Sequence, residues 1–385
     1  MNKMLSRIAI TMVHLAMLPM LATQVSAHEG GHEAPKTTLG GFYENSSIKV
    51  DKALVACTLS LGTKTECYRI TVNVGDNTEV DSGPWCPQNI NDSATDSGIW
   101  LEGGKVLDVD GKFIKNLATF YKDDQWQLFN PKTGKVRVTD SKQACLAAAR
   151  PDVDPKYHNY CVQCLPSYVE KDTTLTYLIP VKPHVLNKAQ QVSPDSGVGI
   201  AFNGVKIESS APVDAILSAH TIAPFDDCGG HVNTHVGYHY HAITGCTERA
   251  SHEQTKEDEH THKATHAVAI GYAMDGFKLY SHHNLDGSDP ENLDSCGGHY
   301  TKEAGYHYHV NEPGKNQILT CFNAEPGCVV EGDETSCTAG RRPPPPQCKE
   351  GDTACAPGKR SPPPECQNAT DVEACMALHK PPQGK

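Results

Sequence analysis

Two short histidine-rich motifs occur twice in this chain at one spacing. Cys-Gly-Gly-His stands at 228–231 and 296–299, and after five intervening residues each copy continues as Gly-Tyr-His-Tyr-His, at 237–241 and 305–309. Successive side chains of an extended strand point to opposite faces, so both histidines of a copy share one face and both tyrosines the other. Because imidazole is a good ligand for zinc, copper, iron and nickel, the repeated motif indicates a metal site.

We predict that histidines of both copies line one shared cleft, because two imidazoles alone cannot complete a tetrahedral site. The predicted ligands are His231, His239, His241, His299, His307 and His309. In an exported chain whose thiols are consumed in disulfides, this donor set suits Cu(II) or Zn(II). We expect about one ion per chain.

Two alternatives remain open for the same residues. The first is a buried hydrogen-bond network of these rings with the tyrosine hydroxyls, which would hold a core-poor fold together without a metal. A metal-dependent enzyme, either a hydrolase or a copper oxidase, would need an acid or base near the ion. The candidates are Asp226, Asp227, Asp275 and Asp294, which the sequence does not place, so no catalytic residue is assigned.

The motifs lie in a segment that looks duplicated. The stretch GIAFNGVKI at 199–207 aligns with GYAMDGFKL at 271–279 at an offset of 72 residues, and the histidine motifs repeat at an offset of 68. Each stretch is typical of a strand, an Asn-Gly or Asp-Gly turn and a second strand. We predict a tandem duplication over 190–325, with the two β-rich units packed about a pseudo-twofold axis.

The N-terminus indicates export. Lys3 and Arg7 precede an apolar run, and small residues at 25–27 are typical of a signal-peptide cleavage site, so we assign 1–27 to a signal peptide. Residues 28–44 are expected to form a flexible leader that contains His28 and His32. The less favoured alternative is copper binding by the amine and ring of His28 after cleavage. The 16 cysteines then suit a secreted or periplasmic protein with disulfides and no free thiol. No later run is long enough for a membrane span.

A small β-rich region is predicted over 45–150. A hairpin around 62–64 places Cys57 and Cys67 to cross-link its arms, and short strands are expected at 112–121, 125–130 and 135–139. The one clear helix is SKQACLAAAR, with Ser141 as its cap. Cys161 and Cys164 form a CxxC pair that we expect to reach separately to Cys86 and Cys145 rather than to perform redox chemistry. Cys228, Cys246, Cys296 and Cys321 are expected to close a loop in each copy.

The tail at 327–385 differs from the rest of the chain. Three acidic loops, each closed by a cysteine pair, alternate with polyproline spacers, which are stiff and extended. We predict an extended Cys/Pro-rich stalk that shares little core with the preceding domain and offers a surface for an extracellular partner. Calcium binding by its acidic loops is a less favoured alternative, because no loop has a full series of ligands. Metal scavenging by the charged linker at 252–266 is likewise the alternative to an ordinary charged loop.

The paired CGGH and GYHYH motifs, with VGIAFNGVKI and IGYAMDGFKLY before them, resemble the YHYH domain family of secreted proteins. The resemblance covers roughly 150–325 and extends towards residue 45 through SGPWCPQNI and GIWLEGG. It implies no particular activity. The first copy departs from the pattern at Glu208, where the second copy carries the more typical aromatic Tyr280.

These observations predict a mainly β, disulfide-stapled protein with a duplicated domain at 151–326, a small β-rich N-terminal region and an extended tail. The expected function is an exported metal-binding protein that holds Cu(II) or Zn(II) in a histidine-rich cleft. The alternatives are a metal-dependent secreted enzyme and a structural or adhesive surface protein with a metal-free His/Tyr core. The net charge of −12 argues against a nucleic-acid partner.

Overall fold

The computed structural model describes residues 39–43, 46–76, 80, 82–150, 152–192, 197–246, 267–330 and 332–338. The predicted signal peptide, most of the leader, the charged linker at 252–266 and the second and third cysteine loops of the tail lie outside these residues. No helix among the described residues is long and apolar enough to cross a membrane.

The chain is mainly β, as predicted. The first strands are β1 (Ile48–Val50), β2 (Val55–Thr58), β3 (Lys64–Asn73), β4 (Ile99–Glu102), β5 (Lys105–Asp108), β6 (Thr174–Pro180) and β7 (Val185–Gln191). The later strands are β8 (Gly199–Ala201), β9 (Lys206–Ile207), β10 (Gly230–Asn233), β11 (Gly237–Tyr240), β12 (Ala269–Ala273), β13 (Lys278–Tyr280), β14 (Gly298–Thr301), β15 (Gly305–His309), β16 (Cys321–Ala324) and β17 (Cys328–Val330). The α-helices are α1 (Gly111–Tyr121), α2 (Lys142–Ala148) and α3 (Val213–Ser218), and short 3-10 helices lie at Ala94–Asp96, Pro155–Tyr157, Pro166–Tyr168 and Pro313–Lys315.

The histidine motifs belong to an eight-stranded sheet of order β10-β11-β9-β8-β12-β13-β15-β14. β8 and β12 pair antiparallel at its centre. Outward from this pair, each half has an antiparallel, a parallel and then an antiparallel pairing. Two copies related by a twofold axis would form this order, which supports the interpretation of a duplication. The β10–β11 and β14–β15 hairpins consequently lie at opposite edges of the sheet.

A second, five-stranded sheet packs against the first. It has the order β1-β3-β6-β17, with β2 also paired to β3. Residues from both sheets share the main core cluster, in which Ile70 and Tyr177 of one sheet join Ile200, Tyr240 and Tyr308 of the other. Because β3 precedes and β6 follows residue 150, the predicted boundary between N-terminal region and duplicated domain falls within one sheet. The domain limits therefore stay a prediction.

Several local predictions are confirmed. Cys57 and Cys67 cross-link β2 and β3, and Ser141 caps α2 by accepting a hydrogen bond from the backbone N–H of Ala144. The described cysteines form six disulfides with no free thiol among them. The pairs are Cys57–Cys67, Cys86–Cys161, Cys145–Cys164, Cys228–Cys246, Cys296–Cys321 and Cys328–Cys337. The two cysteines of the CxxC motif thus reach separate partners, as expected.

The predicted strand at 112–121 is wrong, because this segment is the helix α1. Its apolar residues recur at helical spacing, which buries Ile114 and Leu117 on one face, and Asp110 caps the first turn through the N–H of Phe113. The strands expected at 125–130 and 135–139 are reduced to isolated bridges, such as Phe129 with Val136.

The first tail loop packs into the fold, contrary to the expectation of a tail that shares little core. β17 pairs with β6, and the N–H of Thr58 donates to the carbonyl of Thr335. Val330 and Cys337 are buried with Leu59 in one apolar cluster. Residues 328–330 and 332–338 therefore belong to the folded body, and the rest of the expected stalk lies outside the described residues.

Candidate metal centres

Three histidines of the first copy face one another on the β10–β11 hairpin. His231 lies directly opposite His239 in the strand register, and His241 follows two residues after His239. The ring centroids are 4.7 Å (His231–His239), 4.9 Å (His231–His241) and 5.0 Å (His239–His241) apart. One ligand nitrogen from each ring lies within 4.8 Å of the others. We call these residues the first triad.

The second triad repeats this arrangement on the β14–β15 hairpin. His299 lies opposite His307, and His309 follows on the same face. The Nε2 atom of His299 lies 3.0 Å from Nε2 of His307 and 3.2 Å from Nε2 of His309. Nitrogen ligands at 2.0–2.1 Å from a tetrahedral ion are separated by about 3.3 Å. The second triad therefore has ligand spacings close to those that a bound ion requires.

Backbone carbonyls orient the ligand atoms in both triads. The contacts from Nδ1 to carbonyl oxygen are His239 to Gly237 (3.0 Å), His241 to Ser209 (2.6 Å), His299 to Glu291 (2.7 Å), His307 to Gly305 (2.9 Å) and His309 to Ser281 (2.8 Å). A carbonyl only accepts, so each of these Nδ1 atoms carries the hydrogen and the Nε2 of the neutral ring is an acceptor. Metal-binding histidines are commonly held in this way.

The prediction of one cleft shared by both copies is wrong. The two hairpins lie at opposite edges of the sheet, with β9, β8, β12 and β13 between β11 and β15. Five strand spacings correspond to about 24 Å, whereas an ion binds nitrogen at about 2 Å. His231 and His299 also lie on strands rather than in the turns that precede them. Each triad is consequently complete within one hairpin.

The tyrosines of the motif occupy the opposite face, as predicted. Tyr240 and Tyr308 are buried in the main core. The hydroxyl of Tyr240 accepts from Nδ2 of Asn203 (3.0 Å), and that of Tyr308 donates to Asp275 Oδ2 (2.7 Å). Asn203 and Asp275 are the corresponding residues of the Asn-Gly and Asp-Gly turns. The turn residue of each copy therefore hydrogen-bonds the second tyrosine of its own GYHYH motif.

The acidic residues considered as acid–base candidates have structural roles on this tyrosine face. Asp226 Oδ1 accepts from the N–H groups of Cys228 (3.1 Å) and Gly230 (3.0 Å) and from the Tyr238 hydroxyl (2.9 Å). Asp294 does the same in the second copy, for Cys296, Gly298 and Tyr306. Burial raises the pKa of Asp275 to about 7. Asp227 is exposed. None of these carboxyl groups belongs to a triad.

The two glycines of CGGH have different functions. Gly229 and Gly297 have φ values of 82° and 83°, in the left-handed region that favours glycine. A Cβ atom at Gly230 would lie 2.4 Å from the ring of Tyr238, and one at Gly298 would lie 2.0 Å from the Tyr306 hydroxyl. The first glycine therefore allows the turn, and the second lets the tyrosine ring of the neighbouring strand pack against the backbone.

The first triad is neutral at physiological pH. Burial lowers the pKa of His239 to about 4 and that of His241 to about 3. Burial also lowers the pKa of His231 well below its usual value, and the neighbouring rings add to this effect. Metal binding requires an unprotonated ring nitrogen, so these rings compete little with protons for an ion at pH 7.

A cleft of about 470 Å³ opens in front of the first triad. Its lining includes all three histidines, Glu208, and residues of the N-terminal region such as Trp85 and Arg150. Phe225 packs behind the triad, with its ring centroid 4.9 Å from that of His231 and 5.2 Å from that of His241. Sequence inspection missed Glu208, Trp85 and Phe225 as neighbours of the triad, because their proximity depends on long-range packing.

The remaining described histidines lie outside the triads. His235, which aligns with Glu303 of the second copy at the offset of 68 residues, is exposed in the β10–β11 turn. The rings of His282 and His283 contact each other in a tilted arrangement, with centroids 4.2 Å apart. Nδ1 of His283 lies 2.9 Å from the Asp289 carboxylate. Sequence inspection also missed the carbonyls of Ser209 and Ser281, although these serines correspond at the same offset of 72 residues.

Fold and site together define a disulfide-bonded β-sheet protein with two histidine triads that could each hold a metal ion. Residues 176–292 match the family model described as YHYH protein, which confirms the resemblance inferred from the motifs. This match ends before the second CGGH motif. No curated protein and no solved structure matches the chain.

Proposed function

We propose that this protein binds two Zn(II) or Cu(II) ions, one in each triad. The observation that carries the proposal is the second triad. In it, Nε2 of His299 lies 3.0 Å from that of His307 and 3.2 Å from that of His309, while each Nδ1 faces a carbonyl. Three neutral acceptors at this spacing repel one another unless a proton or a metal ion lies among them. Three nitrogen ligands also leave one position of a tetrahedral ion open.

Metal content of purified variants tests the proposal. Wild type should bind two equivalents, His239→Ala and His307→Ala one each, and the double variant none, measured by elemental analysis and calorimetric titration. Tyr240→Phe is the matched control, because it removes only the acceptor for Asn203 on the opposite face. Loss of all metal in either single variant would indicate a shared site. Absence of metal from every protein, with destabilised histidine variants, would favour the hydrogen-bond network.

Metal-dependent hydrolysis is a second candidate, and one observation favours it. The Glu208 carboxylate, which is paired with Lys206, lines the same cleft as the first triad. It would supply the acid–base group that hydrolysis at a zinc ion held by the three histidines would need. Hydrolysis of p-nitrophenyl acetate by the zinc-loaded protein should fall at least about tenfold in Glu208→Gln. Metal content should stay unchanged in this variant. Equal rates in both proteins would exclude a catalytic role for Glu208.

We further propose that the protein acts outside the cytoplasm, in the periplasm or secreted. The disulfides of the described residues support an oxidising compartment. Mass measurement of the mature protein should show loss of residues 1–27. An exported protein that retains residues 1–27 would contradict the assignment of a signal peptide. An extracellular partner for residues beyond 338 stays a prediction.

A further inference from the structure

We propose that the first triad, with its ion bound, is a binding site for a small organic carboxylate that has an apolar body, and that the second triad is not. This inference rests on the proposed metal binding. It deepens that function by assigning a ligand class to one of two sites that the sequence makes nearly identical. Three features carry it: the cleft, its charge balance and the different surroundings of the second triad.

The cleft has the size and walls of a small-molecule site. Its volume of about 470 Å³ lies in the range of about 300–1,000 Å³ typical of ligand pockets. Much of the lining is apolar: Trp85, Ala148, Val153, Val162, Pro212, Ala215, Ile216, Ala223, Pro224, Val232 and Val236. These walls suit the apolar body of a ligand, while the three histidines in the same lining would hold the ion that binds its head group.

The charges of the cleft favour an anionic head group. Of the residues that line it, Arg150 and Glu208 carry charge. Arg150 is paired with Asp152, and Glu208 is paired with Lys206. Both charges are therefore balanced locally. A divalent ion held by three neutral histidines would add an uncompensated positive charge, and it would have a coordination position free for a carboxylate oxygen.

The second triad has different surroundings. Tyr280, which replaces Glu208 in this copy, places its ring centroid 4.5 Å from that of His307 and covers the triad from this side. The space next to His299 is open and lined by polar and acidic residues, including Asp286 and Glu291. Acidic neighbours disfavour a carboxylate, and no comparable apolar wall lines this space. The same ligand should therefore distinguish the two sites.

Visible spectroscopy of the full-length cobalt-loaded protein tests the inference, with 4-phenylbutyrate and acetate as probes. His307→Ala leaves cobalt in the first triad alone, and His239→Ala leaves it in the second alone. We expect 4-phenylbutyrate to change the cobalt spectrum of His307→Ala at concentrations at least about tenfold lower than acetate requires. His239→Ala should show no such preference. Equal responses to both probes, or a preference at the second triad, would overturn the inference.

A substitution in the wall separates ligand binding from metal binding. Ala215→Trp fills the cleft from α3, whereas Ser218→Trp places the same side chain on an exposed position of α3 that does not line it. Ala215→Trp should weaken 4-phenylbutyrate binding at least about tenfold and keep both cobalt equivalents, and Ser218→Trp should match wild type. Unchanged binding in Ala215→Trp contradicts the inference alone. Absence of cobalt from wild type contradicts the metal-binding proposal itself.

Discussion

The two triads share one local design but differ in what surrounds them. In each, a histidine on the outer strand lies opposite the first histidine of GYHYH, and the second follows on the same face. The first triad is packed against Phe225 and faces a cleft that the N-terminal region helps to enclose. The second is covered by Tyr280 and borders an open polar surface.

This difference shows that the geometry of the histidine ligands and the access of a small molecule to them have separate origins in this molecule. The geometry follows from a hairpin, a carbonyl at a fixed offset and a turn residue that hydrogen-bonds the tyrosine face, and all of these are duplicated. The access depends on residues outside the duplication, such as Trp85 and Arg150. One copy can therefore acquire a small-molecule site while the other keeps only the metal-binding arrangement.

Acid should destabilise the metal-free protein mainly through the first triad. The pKa values of His239 and His241 are lowered to about 4 and about 3, so in this window the unfolded chain binds more protons than the fold. The contribution of the two neutral rings to the free energy of unfolding is complete above pH 6.5. It is lost as the pH falls towards 4 and below, by up to about 1.4 kcal/mol per pH unit for each ring.

Urea unfolding between pH 7 and pH 4, with a chelator present, measures this effect. His239→Phe removes one titrating ring and should flatten the dependence of the unfolding free energy on pH. A variant with the same slope as wild type would show that the first triad does not carry the acid sensitivity.

Substitution of the second glycine of CGGH by alanine should cause the next largest loss of stability. In Gly230→Ala the new Cβ meets the Tyr238 ring, and in Gly298→Ala it meets the Tyr306 hydroxyl. Overpacking of this kind costs about 1–3 kcal/mol. We expect the higher end for Gly230→Ala, because Tyr238 also packs in the cluster around Trp85. Thermal unfolding compares the two variants, and a neutral Gly230→Ala would contradict the close contact.

The turn residues offer an exchange between the copies. The raised pKa of Asp275, about 7, means that the fold holds its proton more tightly than the unfolded chain. The contribution of this protonated carboxyl to the free energy of unfolding is complete below about pH 4. It is lost as the pH rises through 7, by at most about 1.4 kcal/mol per pH unit. Asp275→Asn places in the second copy the residue that the first copy has at Asn203, and it should remove this loss. The stability of this variant relative to wild type should therefore be higher at pH 8 than at pH 5.

Chemical unfolding of Asp275→Asn and wild type at both pH values measures the change. The signs of the Asp275 and histidine effects are opposite between pH 4 and 7, so each is read from the difference between variant and wild type. An unfolding free-energy difference that does not vary with pH would show that Asp275 is ionised in the fold at both values.

The smallest expected difference is in metal affinity. The second triad already holds its Nε2 atoms at 3.0 and 3.2 Å, so less ordering is needed when an ion binds. We expect His239→Ala, which retains the second triad, to bind Zn(II) about tenfold more tightly than His307→Ala, a difference of about 1.4 kcal/mol. Competition with a chromogenic chelator measures both constants. The reverse order would show that burial of the first triad outweighs this preorganisation.

Much of the site could be predicted from sequence because its parts are local. The alternation of GYHYH places the histidines on one face, and short disulfides such as Cys228–Cys246 close loops within a copy. The aromatic residues of 112–121 favour a strand, but the cap at Asp110 and the burial of Ile114 and Leu117 on one face stabilise the helix α1 instead. The place of β17 in the fold could not be predicted, because its pairing partner β6 lies about 150 residues earlier.

The sequence by itself determined the family resemblance, the face that each histidine occupies and the identity of all six candidate ligands, because alternation within a strand is a property of the backbone. Only the tertiary structure decided that these ligands form two separate triads rather than one cleft shared by both copies. The two hairpins pair with β9 and β13, and the central strands β8 and β12 pair with each other, which puts the hairpins at opposite edges. Strand order depends on long-range pairing that no local pattern encodes, and the enclosure of one triad by distant residues follows from the same packing.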